Sequence, residues 1–93
     1  MIYKIKFTNA YKKSYRRIIK RGLDISILDN VVDELSKGST LSPEFKDHVL
    51  KGKFEGFHEC HLKPDWLLIY LIEDDVLTLT LVDTGSHSDL FNL

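Results

Sequence analysis

Residues Asp65 to Asp83, "DWLLIYLIEDDVLTLTLVD", decide the fold. The run "WLLIYLI" (Trp66 to Ile72) is apolar throughout, with none of the alternation that a strand with one wet face requires. It is far too short to span a bilayer, which takes roughly 20 residues. It therefore predicts a central strand covered on both faces, because at a sheet edge it would be an aggregation hazard. "DVLTLTLVD" (Asp75 to Asp83) alternates and predicts a second strand, and the acidic "EDD" between them (Glu73 to Asp75) predicts the turn that joins the pair.

Working outward, "GFHECHL" (Gly56 to Leu62) and "KDHVLKG" (Lys46 to Gly52) read as further short strands, and the prolines, Pro43 and Pro64, punctuate loops. Upstream of Pro43 the periodicity is helical. Asp24 caps a helix whose apolar stripe is Ile27, Leu28, Val31, Val32 and Leu35, with Gly38 as the stop. Before it, Thr8 or Asn9 caps a helix running to Gly22, with Tyr11, Tyr15, Ile18 and Ile19 on one stripe and Lys and Arg outward. "IYKIKF" (Ile2 to Phe7) alternates as a half-buried strand, and "SHSDLF" (Ser86 to Phe91) is a short helical turn tucked down by Leu90 and Phe91. The expected class is α+β: an N-terminal strand and two helices packed on one face of a mainly antiparallel sheet, closed by a C-terminal helical turn. With 93 residues and no repeat or linker, a single domain over 1–93 is expected.

The net charge of −1 hides an asymmetry. Residues 1–22 hold eight cations (Lys4, Lys6, Lys12, Lys13, Arg16, Arg17, Lys20, Arg21) and no acid, so the remainder carries −9. Such a segment can neutralise several phosphates, or it can be a solvated helix face balanced by acids elsewhere. The N-terminus lacks the small-residue cleavage site of a signal peptide, and the lone Cys60 cannot form an internal disulfide. Both point to the cytoplasm, with no membrane role.

The four histidines invite comparison with a metal site. On a strand, however, His58 shares a face with Cys60 while His61 shares the other with Glu59, which splits the would-be ligands. Neither a CxxC pair nor an HExxH helix is present, so no metal is expected. Acid–base chemistry groups His48, His61 and His87 with Asp65, since imidazoles exchange protons near neutral pH. Trp66, Tyr70 and Phe91 read as core aromatics or as rings on which RNA bases stack. Cys60 reads as packing.

Together "KDHVLKG", "HECHLKPDWLLIY" and "TGSHSDLF" resemble the YafQ family of bacterial type II toxins, within the RelE-like superfamily, over essentially the whole chain. The resemblance implies a RelE-like fold and a ribosome-dependent messenger RNA endonuclease without metal or cofactor. Its expected partners are a cognate DinJ-type antitoxin, the ribosome and mRNA, with operator DNA reached only through the antitoxin. It further implies His48, His61, Asp65 and His87 as catalytic residues, with His87 as acid, His48 or His61 as base and Asp65 orienting an imidazole. Trp66 and Phe91 would flank the bases, and Lys12, Lys13, Arg16 and Arg17 would contact RNA.

The chain departs from the family pattern twice. Relatives usually read "RTGSHS"; here Asp83 replaces the arginine that would face the scissile phosphate, and His58 stands where arginine is frequent. Losing such a donor costs on the order of 10²–10³ in rate. Asp83 therefore predicts a muted enzyme, unless Lys46, Lys51 or Lys53 restores the charge. The rival expectation is an impaired toxin acting mainly as the antitoxin-bound partner in a DNA-binding repressor complex.

Overall fold

The computed structural model describes residues 3–91. The elements are β1 (Lys4–Phe7), α1 (Asn9–Lys20), α2 (Ile25–Ser36), β2 (His48–Val49), β3 (His58–Lys63), β4 (Trp66–Glu73), β5 (Thr78–Gly85) and α3 (His87–Phe91). Single 3₁₀ turns at Pro43–Phe45 and Gly52–Phe54 flank β2. Among the described residues five strands form one mixed sheet in the order β1-β5-β4-β3-β2, where only the β1–β5 pairing is parallel. This is the α+β arrangement expected from the periodicities and the RelE-like fold that the resemblance implies.

The unbroken apolarity of β4 has the expected cause. Trp66, Leu68 and Tyr70 project into a core shared with Tyr11 and Ile18 of α1 and with Leu28, Val31 and Leu35 of α2. Leu67 and Ile69, of opposite parity, are 0% and 1% exposed. Both faces of the strand are thus covered. Each such side chain contributes roughly 1.5–3 kcal/mol of burial.

Both caps form as read. The Thr8 hydroxyl accepts from the Tyr11 amide and the Asp24 carboxylate from the Ser26 amide, satisfying donors that the first helical turn leaves open. Gly38, at φ 79°, adopts the left-handed turn that ends α2.

Three expectations shift. The buried stripe of α1 is Tyr11, Ser14 and Ile18, while Ile19, one position round the helix, is exposed. Ser14 is tolerated inside because its hydroxyl donates to Asp83. The turn takes in Val76 and Leu77, because β5 begins only at Thr78, opposite Glu73. Leu77 is tied there by the Lys4 amide, which donates to its carbonyl. The strand at the DH stretch shrinks to His48–Val49. Ile2, counted in the first strand, lies outside the described residues. No described helix is long and apolar enough to cross a membrane.

Candidate active site

Strand register assembles the site. His48 of β2 lies opposite Glu59 of β3, Glu59 opposite Ile69 of β4, and the next row places His61 opposite Leu67 and Leu67 opposite Gly85. Directly paired residues share a face, so His48, Glu59 and His61 stand together on the side of the sheet away from α1 and α2. Glu59 is 6% exposed, and both imidazoles bring Nε2 to 3.5 Å from its Oε1. The His48 ring is turned by its other nitrogen: Nδ1 lies 2.8 Å from the Lys46 carbonyl. A carbonyl only accepts, so Nδ1 carries the proton and Nε2 is left to face Glu59.

His87 arrives from the other side. Gly85 ends β5, and α3 starts two residues later, placing the His87 ring 5.9 Å from His61, which is itself 6.2 Å from His48. Asp65, at the head of β4, accepts from both the His87 backbone amide at 3.0 Å and its Nδ1 at 2.7 Å. The two bonds, the backbone one first, hold the Asp65 carboxyl below its ordinary value. They also set the tautomer, since Nδ1–H donated to a carboxylate leaves Nε2 as the working atom.

Trp66 departs from the expectation. It is 3% exposed, belongs to the helix-facing core and donates its indole N–H to Thr84 at 3.1 Å, so no base can stack on it. Alternation along β4 decides this: Trp66 shares its face with Leu68 and Tyr70, not with the histidines. Phe91 is partly buried on α3, edge-on to Phe54 at 5.9 Å. Lys12, Lys13, Arg16 and Arg17 are exposed on α1, as a polyanion contact or a solvated face requires. His58 stands apart from the cluster, stacked on Tyr70 with Nδ1 3.3 Å from Asp47, which also accepts the Tyr70 hydroxyl. Burial pushes the Cys60 thiol up to about 12, which suits packing and not nucleophilic chemistry.

The family described as "Bacterial toxin of type II toxin-antitoxin system, YafQ" matches residues 3–92. This chain belongs to the YafQ family. It is 33% identical over 88 residues to the mRNA interferase toxin YafQ of Escherichia coli K12, covering 94% of each chain. The E. coli DinJ-YafQ toxin-antitoxin complex superposes with a TM-score of 0.89 at 32% identity, over 98% of this chain and 99% of that one. A metal-bound toxin from Helicobacter pylori gives 0.89 at 44% identity, over 98% and 100%.

Two features of this YafQ-family chain were not legible as site residues in the sequence. Glu59 was visible only as sharing a face with His61; its burial and its position between two imidazoles follow from the pairing of β2 with β3. The same three residues also form a donor set, with ligand atoms of His48, Glu59 and His61 all within 4.8 Å of one another. Two imidazoles and a carboxylate suit a zinc or copper ion, so these residues fit a metal although the sequence pattern predicted none. Bound there, an ion would act as a Lewis acid and would occupy the lone pairs of both rings. The departure at position 83 is also accommodated. The Asp83 carboxylate accepts from the Ser14 hydroxyl at 2.5 Å and the Thr84 amide at 2.8 Å, and Arg17 in turn donates to Ser14 at 3.2 Å.

Proposed function

We propose that this type II toxin is an mRNA endonuclease that cuts on the ribosome, in the cytoplasm, by metal-independent acid–base chemistry, and that a DinJ-type antitoxin restrains it. One observation carries the reading: His87 is turned by a carboxylate on Nδ1 and stands 5.9 Å from His61, which shares a second, buried carboxylate with His48. The names of the E. coli relatives support the substrate, and their complex with DinJ supports the partner.

The base takes the proton of the 2′-hydroxyl, and that oxygen bonds to the adjacent phosphorus. The bond from phosphorus to the 5′-oxygen breaks, and His87 protonates the departing oxygen. The products are a 2′,3′-cyclic phosphate and a 5′-hydroxyl. Asp65, bonded to Nδ1, orients the His87 ring so that Nε2 is the nitrogen presented to the departing oxygen. His48 or His61 serves as the base and keeps the proton it takes, while Glu59, beside both rings, holds them in place and balances the positive charge that forms. Proton transfer of this kind contributes about 10²–10⁴ in rate. Phe91 and Phe54 wall the C-terminal side, and an open groove lined by Phe45, Lys46, His61, Lys63 and Pro64 offers a path for RNA. Lys12, Lys13, Arg16 and Arg17 meet ribosomal phosphate, and operator DNA is reached through the antitoxin.

Asp83 withholds one cation from the transition state, so the enzyme is muted relative to its arginine-bearing relatives. Induced expression in translating cells, with RNA 5′ ends mapped by primer extension, tests the reading. New in-frame ends should vanish with His87→Gln and intensify with Asp83→Arg. Ends that persist in His87→Gln refute the mechanism. Ends seen only with Asp83→Arg favour the impaired toxin acting in a repressor complex.

A further inference from the structure

We infer that Arg21 and Asp89 are positioning residues for His87: an ionic latch between the end of α1 and the C-terminal helix sets where the imidazole sits. The argument begins with length. α3 has five residues, well below the roughly 12–15 at which an isolated helix sustains itself, so its geometry comes from tertiary bonds.

Those bonds converge on Asp89. Its carboxylate accepts from the Ser86 amide at 3.0 Å while its own amide donates to the Ser86 hydroxyl at 3.1 Å, a reciprocal cap enclosing His87. Arg21, just past α1, grips the same carboxylate with both terminal guanidinium nitrogens, Nη1 at 2.7 Å and Nη2 at 3.1 Å. The Asp89 side chain is 14% exposed and its carboxyl lies well below the ordinary range, first because of Arg21 and then because of the Ser86 bonds. Gly85 makes the seat. It sits at φ 154°, and a Cβ there would lie 2.9 Å from the Asp89 Cβ, so only glycine lets the carboxylate approach.

The two aspartates thus divide the work. Asp65, whose side chain is 70% exposed, fixes the rotation of the ring, and Asp89 fixes the backbone from which the ring hangs. Neither Arg21 nor Asp89 bonds the imidazole, so their effect on chemistry passes through His87. That effect on cleavage rests on the proposed endonuclease function; the effect on the ring's placement does not.

The experiment compares the full chain with Arg21→Gln, Asp89→Asn and the conservative Arg21→Lys by two measurements. Nitrogen-15 NMR reads the His87 tautomer and the exchange rate of its amide. Single-turnover cleavage on mRNA-programmed ribosomes gives a maximal rate and a half-saturating ribosome concentration. In Arg21→Gln and Asp89→Asn the His87 amide should exchange faster and the Nδ1–H signature should average out. The maximal rate should fall about tenfold at unchanged half-saturation, since small misplacements of a reacting group are costly, and Arg21→Lys should recover most of both. An unchanged His87 signature in both variants overturns the latch, as does a shift in half-saturation alone, which would make Arg21 a plain phosphate contact. Should the parent chain not cleave, the proposed function falls while the NMR comparison still decides the latch.

Discussion

On one border of the site His87 hangs from a five-residue helix, tied by Asp65 on its ring and by Ser86, Asp89 and Arg21 around its backbone. On the other, His48 and His61 belong to paired strands and share a single carboxylate, Glu59, at 3.5 Å each. The first border is assembled from distant side chains and is only as firm as they are; the second inherits the rigidity of the sheet. Under the proposed mechanism, the group that presents one nitrogen to a leaving oxygen has its own carboxylate, whereas the pair proposed as base shares one.

The largest effect should come from His87→Gln, which removes the proposed acid while keeping a hydrogen-bonding side chain: cleavage should fall about 10³-fold with antitoxin affinity unchanged. Equal cutting would put the chemistry on the sheet side alone. Next, Glu59→Gln should cost about 10²-fold, because both imidazoles lose their common partner. If the three act as a unit, a His48→Ala, Glu59→Gln double variant should be hardly worse than either single variant, and additive losses would break the shared-carboxylate picture. Asp65→Asn should be milder, about tenfold, because its partner is partly solvated and the backbone bond to His87 survives.

The smallest effect is on acidity. Asp65 and Asp89 both titrate below their ordinary values, so each contributes fully above the unfolded aspartate value of about 4 and its contribution is lost as pH falls through the folded-state values. Amide exchange at 86–91 should therefore quicken below about pH 4 while β4 amides serve as the stable reference. Equal responses of the two regions would show that α3 is no more dependent on its carboxylates than the sheet is.

Much of this is legible in the amino-acid sequence. The motif set named His48, His61, Asp65 and His87, and the fold brings these four together. Trp66 was the residue where motif and pleat disagreed: adjacent to Asp65 in sequence, it projects to the opposite side and donates to Thr84. Ile19 misled because helical spacing admits it to a stripe that Ser14 occupies, and a serine reads as interior only once Asp83 is seen bonded to it.

The sequence by itself determined the class of fold, the doubly covered strand, the helix caps and the basic N-terminal segment, because periodicity, capping and charge are written within a few neighbouring residues. Tertiary structure alone decided that Glu59 lies between two imidazoles and that Arg21 reaches Asp89 across 68 residues of chain. Those contacts depend on strand register and on where a short helix docks against the end of another, and such geometry is set by the packing of the whole sheet.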